Sequence, residues 1–195
     1  MQAHDCMDDQ QQRDVVAAVA GDRNAFGRLY DLHIRDIYDF LYYKTHHVET
    51  AQDLTSQTFM KALRSIASFD STRASFRTWL YTIARRTVID HYRKTKPTAN
   101  IEDAFDIASD TDIERDAHLS QLMVQVQPLL AQLSAQQREI VLLRLWQGKS
   151  YAEIAEIIGK SESACKMLFS RTMRVLQKSA PSLSALLALM FIPRL

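Results

Sequence analysis

The chain has 195 residues, enough for one ordinary domain or two small ones. Hydrophobic residues make up 47% and charged residues 24%, and the presence of only four Gly and four Pro argues against a barrel or sandwich of many short strands and favours helices. The net charge of +1 averages over segments of opposite charge.

The N-terminal segment predicts a tail and two helices. Residues 1–13 are expected to form a flexible tail, and a short helix is predicted from Asp14 to about Ala20, where Gly21 ends it. A longer apolar stripe with helical spacing begins after Asp22 and predicts a second helix. Its members are Phe26, Leu29, Tyr30, Ile37 and Leu41.

A third helix is predicted from Thr50 to Ser68, with an apolar inner face and a polar outer face. The inner positions are Ala51, Leu54, Thr58, Leu63 and Ile66. The outer positions are Asp53, Gln57, Lys61 and Arg64. The outer set is therefore expected to face solvent.

A loop rich in helix-capping residues, at positions 70–72, precedes a fourth predicted helix from Ser75 to Lys94. Its apolar stripe consists of Phe76, Leu80, Ile83 and Thr87, with Trp79 beside them. Seven basic residues minus one acidic residue between Arg73 and Lys96 give this segment a charge of +6. These cations are predicted either to meet nucleic acid or to pair with acidic neighbours.

The charge then reverses. Between Pro97 and His118, one basic residue and seven acidic residues give a charge of −6, and no apolar period is sustained. This composition predicts a flexible acidic linker over residues 96–119. The linker separates a first domain, residues 14–95, from a second domain, residues 120–178.

The second domain begins with helical periodicity that Pro128 is expected to break or kink. Ser134 is a typical N-cap for a helix from Ala135 to Trp146, which Gly148 ends. The stretch SYAEIAEIIGKSESACKMLFSR, residues 150–171, then has the form of a helix-turn-helix.

Three small residues suit this motif. Ala155 allows the two helices to cross closely, and Gly159 can adopt the positive φ that turns the chain between them. Cys165 takes an inward position of the second helix, where a buried thiol behaves as a small hydrophobe.

The second helix of the motif is predicted to enter the major groove of DNA, with its N-terminal half at the base edges. Five basic residues minus one acidic residue between Lys160 and Lys178 give a charge of +4. The candidates for DNA contact are Lys160, Ser161, Glu162, Ser163, Lys166, Met167, Ser170, Arg171, Arg174 and Lys178. A solvated basic helix in an ordinary three-helix domain is the alternative.

Two stretches of the C-terminal half resemble the fourth conserved region of sigma factors, namely LSAQQREIVLLR (133–144) and GKSYAEIA (148–155). Regulators of the LuxR class share part of this pattern. Three stretches of the N-terminal half resemble the second conserved region of extracytoplasmic-function (ECF, group 4) sigma factors of the sigma-70 family. They are DLTSQTFMKALR (53–64), FRTWLYTIAR (76–85) and DHYR (90–93). A LuxR regulator would carry a receiver or sensing domain instead. The resemblance implies an all-α protein of two small domains, without enzymatic activity.

The resemblance also implies a role for each domain. The first, a region 2-like four-helix domain, would bind the coiled coil of the largest subunit of core RNA polymerase through Asp53, Gln57, Lys61 and Arg64. It would recognise and melt the promoter −10 element through Arg73, Arg77, Trp79, Arg85, Arg86, Arg93 and Lys94. The second, a region 4-like domain, would contact the polymerase flap and bind the −35 element through its helix-turn-helix. An anti-sigma factor is the expected regulatory partner, and no small-molecule substrate is expected.

Three residues depart from the family pattern. Gln57 stands where an acidic residue is usual, Arg86 where Asn is common, and Leu168 where a basic residue is common. These departures predict differences in polymerase contact and in −10 recognition. Two alternatives stay open at this point: a stand-alone helix-turn-helix regulator, and an inhibitory protein built on a degenerate sigma fold.

The sequence lacks the signatures of several other functions. Cys6 and Cys165 lie far apart and outside any CxxC pair, which predicts neither a disulfide framework nor a metal site. The polar first twenty residues and the short apolar run Leu183–Ile192 predict no signal peptide and no membrane span. A cytoplasmic protein without cofactor is expected, and the apolar extension, residues 179–195, is predicted to pack on the second domain or to meet a partner.

Overall fold

The computed structural model describes residues 2–45, 47–95 and 132–179, which are helices joined by turns. The acidic linker, Pro128 and nearly all of the C-terminal extension lie outside the described residues, so the predictions for them stand untested. The chain divides into two compact units, residues 1–90 and 91–195, with the limit inside the last turns of a helix. The all-α fold class is confirmed.

The first unit contains three helices and most of a fourth, whose last residues, 91–95, belong to the second unit. They are α1 (Gln2–Val19), α2 (Arg23–Thr45), α3 (Val48–Ser65) and α4 (Phe76–Thr95), and a 3₁₀ turn, Ile66–Ser68, extends α3. The described helices of the second unit are α5 (Ala135–Val141, continued as a π-helical segment, Leu142–Trp146), α6 (Tyr151–Ile158) and α7 (Glu162–Ser179).

Helix α1 begins at Gln2, twelve residues before the predicted start at Asp14, so the prediction of a flexible tail over residues 1–13 was wrong in the part that forms α1. The prediction relied on apolar periodicity, which these polar turns lack, but they contain no Gly or Pro to prevent a helix. Gln10 donates to Asp14 at 3.2 Å, a side-chain bond at helical spacing. Asp14 in turn accepts from Arg28 at 2.7 Å, which ties α1 to α2.

The core of the first unit lies between α2, α3 and α4. Its fully buried side chains include Leu29, Ile37, Leu41, Leu54, Leu80 and Val88. Thr55 and Thr58 are buried on the same face of α3, where their hydroxyls donate to the carbonyls of Ala51 and Leu54 at 2.7 Å. Leu63 was predicted to face inward but is 39% exposed, because it follows the buried Ala62 by one residue and so lies about 100° around the helix.

Helix ends in the second unit follow the predicted signals. Ser134 and Ser150 each form a capping box, with Gln137 and Glu153 respectively, so the predicted N-cap at Ser134 is confirmed. Gly148 has a φ of 61° just beyond the end of the π-helical segment. The core of this unit includes Leu133, Val141 and Leu176.

Candidate polymerase and promoter interfaces

The outer face of α3 carries the four residues that the family resemblance assigns to polymerase binding. Asp53, Gln57, Lys61 and Arg64 are all exposed and recur about once per helical turn, so they share one side of the helix. Lys61 is also held by α4, because its Nζ donates to Thr87 Oγ1 at 3.0 Å and lies 3.7 Å from Asp90 Oδ2. The structure therefore brings these four side chains together.

An apolar groove lies between α2 and α3, next to this face, with a volume of about 360 Å³. It is lined by Arg23, Phe26, Gly27, Tyr30, Ser56, Phe59, Met60 and Leu63. The rings of Tyr30 and Phe59 meet edge to face, with centroids 4.7 Å apart. The groove could not be predicted from the sequence, because a gap between two helices depends on their packing and leaves no periodic signal.

The basic residues assigned to the −10 element differ in exposure. Arg86, Arg93 and Lys94 are exposed on α4, and Arg73 is exposed in the loop before it. Arg85 is half-buried. The exposed members are the ones whose charge can reach a nucleic-acid backbone without rearrangement of the protein.

Arg77, by contrast, forms an ion pair within the first unit. Its Nη2 donates to Asp36 Oδ2 at 2.8 Å, which ties α4 to α2. Tyr81, one turn further along α4, donates to the backbone carbonyl of Asp36 at 3.3 Å. A direct phosphate contact by Arg77 would require this ion pair to open.

Trp79 is half-buried in an aromatic cluster at the start of α4. Its ring centroid lies 5.1 Å from that of Phe69 and 5.6 Å from that of Phe76, and both of these residues are buried. The loop that follows Phe69 is closed by Asp70, whose Oδ1 accepts from Thr72 Oγ1 at 2.6 Å and from its backbone N–H at 2.9 Å. These hydrogen bonds lower the pKa of Asp70, because they stabilise its ionised carboxylate.

In the second unit, α6 and α7 form the predicted helix-turn-helix. Gly159 has a φ of 75°, and its N–H donates to the carbonyl of Ala155 at 2.8 Å. Ser161 caps α7, because its Oγ accepts from the backbone N–H of Ala164 at 3.2 Å. Cys165 is fully buried, as predicted, and burial raises the pKa of its thiol.

One face of α7 is open to solvent. It presents Glu162, Ser163, Lys166, Met167, Ser170, Arg171, Arg174 and Lys178, and the turn before it presents Lys160 and Ser161, all of them exposed. Met167 is 51% exposed, so it lies on this open face and outside the core. Thr172 and Leu176 join Cys165 on the buried side of the helix.

A buried lysine at the start of α6 was missed by the sequence analysis. Lys149 is 1% exposed, and its Nζ lies 3.2 Å from Glu153 Oε1. Burial alone would raise the pKa of Glu153, but hydrogen bonds from Ser150 and the ammonium group of Lys149 lower it to about 2. A lysine beside a glycine in a turn normally predicts exposure, so only the packed structure reveals this pair.

Two absences hold for the described part of the chain. Its His, Cys, Asp and Glu side chains form no group placed to hold a metal ion. None of its helices is both long enough and apolar enough to cross a membrane.

Comparison with known proteins identifies the two units. The family models Sigma-70 region 2 and Sigma-70, region 4 match residues 29–98 and 123–176. The chain is 38% identical over 173 residues to the ECF RNA polymerase sigma factor BldN of Streptomyces coelicolor, a match that covers 86% of this chain but less than two thirds (64%) of BldN. It is 35% identical to the RNA polymerase sigma factor YlaC of Bacillus subtilis, with 80% of this chain and 92% of YlaC covered.

Two solved structures share the fold. One is CnrH in complex with the cytosolic domain of CnrY, with a TM-score of 0.67, 22% identity, and coverage of 89% of this chain and 99% of that one. The other is the sigma factor RpoE in complex with the anti-sigma factor NepR from Bartonella quintana, with a TM-score of 0.59, 26% identity, and coverage of 78% and 94%.

A stand-alone regulator would need only the helix-turn-helix, whereas this chain also has a region 2 match that precedes the region 4 match. The chain therefore belongs to the ECF RNA polymerase sigma factors of the sigma-70 family, non-enzymatic initiation factors that direct promoter recognition by RNA polymerase.

Proposed function

We propose that α7 is the recognition helix for the promoter −35 element. The observation that carries the proposal is that all ten candidate residues are exposed on α7 or the turn before it, while Cys165, Thr172 and Leu176 are buried behind them. Helix-turn-helix proteins place the second helix in the major groove with its N-terminal residues at the base edges. Arg171 and Arg174 then supply positive charge for flanking phosphates.

The −10 element is proposed to bind along α4 and the loop before it. The exposed cations of this surface are Arg73, Arg86, Arg93 and Lys94. They suit the backbones of melted strands, whose binding depends on neutralised phosphates. The aromatic cluster around Trp79 offers a partly open ring face near the Asp70 loop, where contacts to an extruded base would offset the few kcal/mol that extrusion costs.

Within this proposal Arg77 has a positioning role and Arg85 remains a predicted contact. Arg77 fixes α4 against α2 through Asp36, and so holds the exposed cations of α4 at the surface. Its own guanidinium contributes to DNA binding indirectly.

Core polymerase is proposed to bind the outer face of α3 together with the apolar groove beside it. A coiled coil buries its apolar residues between its own helices and presents charged residues at its flanks. The α3 face offers Asp53, Gln57, Lys61 and Arg64 to such flanks, and the groove beside it can accept an apolar side chain. We also propose that the second domain contacts the polymerase flap, as the family resemblance implies.

An anti-sigma factor is the proposed regulatory partner. The similar sigma factor RpoE has been solved in complex with the anti-sigma factor NepR. A protein that covered the exposed faces of α3 and α7 would block polymerase binding and DNA binding at once. We also propose a cytoplasmic location. The acidic linker is proposed to enter a basic channel of the polymerase, and a solvated spacer between the two basic domains is the alternative.

Run-off transcription with purified core polymerase tests this function. The wild-type chain is expected to restore initiation at a specific start site. Arg171→Ala and Lys166→Ala are each expected to weaken −35 binding about tenfold while core association is unchanged. Loss of core binding in these variants would contradict the separate roles, and core binding without any initiation by the wild type would indicate an inhibitory protein.

A further inference from the structure

The first turn of α7 presents a carboxylate and an ammonium group as a pair. Glu162 Oε1 lies 2.7 Å from Lys166 Nζ, and the two side chains are 49% and 57% exposed. An exposed pair one helical turn apart contributes little to stability. The pair lies on the face of α7 that is proposed to enter the major groove.

Lys166 is held from a second side by the ring of Tyr151, whose centroid is 5.9 Å from Nζ. Tyr151 is itself fixed, because the ring of Phe169 packs edge-on at 5.9 Å and the guanidinium of Arg144 lies 4.7 Å from its centroid. Arg144 also donates to the backbone carbonyl of Lys149 at 2.8 Å. The ammonium group is thus preorganised beside the carboxylate.

We infer that Glu162 and Lys166 together read a single G·C base pair of the −35 element, an inference that rests on the proposed role of α7. In the major groove, guanine offers O6 and N7 as acceptors and cytosine offers its N4 amino group as a donor. Because O6 and N4 share a Watson–Crick hydrogen bond, they lie about 2.9 Å apart. This spacing is close to the 2.7 Å between the two side-chain atoms, so Lys166 donates to guanine while Glu162 accepts from cytosine.

Other base pairs fit this charge pair less well. A reversed C·G pair sets its amino group before the ammonium and its acceptors before the carboxylate, so both contacts become repulsive. A T·A pair offers one acceptor and one donor, but the thymine methyl group replaces the second guanine acceptor. The carboxylate of Glu162 also repels the DNA phosphates, and a hydrogen bond from a base amino group compensates for this repulsion. A sequence without an amino group at this position therefore loses affinity.

Competition binding tests the inference, with the full-length chain assembled on core polymerase and promoter duplexes in which each −35 base pair is changed in turn. The wild type is expected to show one position where G·C is preferred over C·G by about tenfold. Inosine·C should bind there as well as G·C, because inosine keeps O6 and N7 and lacks only the minor-groove amino group. Glu162→Ala is expected to remove most of this preference and to keep the preferences at other positions.

Glu156→Ala is the matched control, because it removes an exposed carboxylate from α6 and changes the net charge equally. It should raise the affinity for every duplex slightly and keep the G·C preference. A G·C preference that survives unchanged in Glu162→Ala would overturn the inference and leave the −35 role of α7 in place. A wild type with no −35 preference at any position would overturn both.

Discussion

Glu153 stabilises the start of α6 in two ways, and both depend on its charge. Its Oε2 accepts from the backbone N–H of Ser150 at 2.8 Å, which caps the helix, and its Oε1 pairs with the buried Lys149. The pKa of Glu153 is about 2 in the folded chain, below its ordinary value of 4.5. Because the folded pKa is the lower one, the stabilisation is complete above pH 4.5 and is lost as the pH falls towards 2.

Glu153→Gln is expected to lower the free energy of unfolding of the second unit by about 2 kcal/mol at neutral pH, because the buried Lys149 loses its counter-charge. It should also flatten the pH dependence of stability between pH 4.5 and 2. Urea unfolding followed by the fluorescence of Trp146, in a Trp79→Phe background, reports on this unit. Glu156→Gln is the control and should change stability by less than about 0.5 kcal/mol; identical pH profiles for Glu153→Gln and wild type would contradict the account.

At the scale of single elements, α4 carries two kinds of arginine. Arg77→Ala should lower the stability of the first unit by about 1 kcal/mol, because it removes the ion pair with Asp36. Arg86→Ala removes an exposed cation and should leave stability within about 0.5 kcal/mol of wild type.

The same two variants should also differ in the salt dependence of their DNA binding. Arg86→Ala is expected to reduce the slope of log affinity against log salt for a −10 single strand by about 0.7, the value for one lost phosphate contact. Arg77→Ala should leave that slope unchanged. Titration of a fluorescent −10 oligonucleotide at several salt concentrations measures both, and an unchanged slope for Arg86→Ala would remove it from the DNA surface.

The groove between α2 and α3 can be tested through Gly27. A Cβ atom added at Gly27 would meet no other atom within 4 Å, so larger side chains fit without a clash at that atom. Gly27→Ala should stabilise the first unit by about 0.8 kcal/mol through helix propensity alone. Gly27→Leu should fill the groove and weaken binding to core polymerase about tenfold, measured with labelled core enzyme and with Gly27→Ala as the control. Equal affinity of the two variants would exclude the groove from the polymerase interface.

Helix ends were more predictable from the sequence than contacts between helices. The caps at Ser134 and Ser150 and the turn at Gly159 depend on residues within four positions, so short patterns signal them. The Asp36–Arg77 pair joins residues 41 positions apart, and no local pattern signals it. The early start of α1 escaped prediction for a different reason, since its first turns carry no apolar stripe.

At the scale of the whole molecule, function follows from two units in a fixed order. The residues assigned to α3 and α7 are exposed, because polar residues at helical spacing define a surface directly, and their binding roles stay predictions. Three features could be found only in the folded structure. They are the groove, the buried Lys149 and the Glu162–Lys166 pair. A helix-turn-helix alone indicates DNA binding, and the region 2 match adds the polymerase.

Footprinting of the protein with core polymerase on one of its promoters tests the central claim, that one unit binds the −35 element while the other opens the −10 element. The account predicts upstream protection from nuclease together with permanganate-reactive thymines near −10. Both signals should require the protein and core polymerase together. Arg171→Ala should lose the upstream protection first, and Arg86→Ala the thymine reactivity. Protection by the chain alone that polymerase does not extend, with no reactive thymines, would contradict the account.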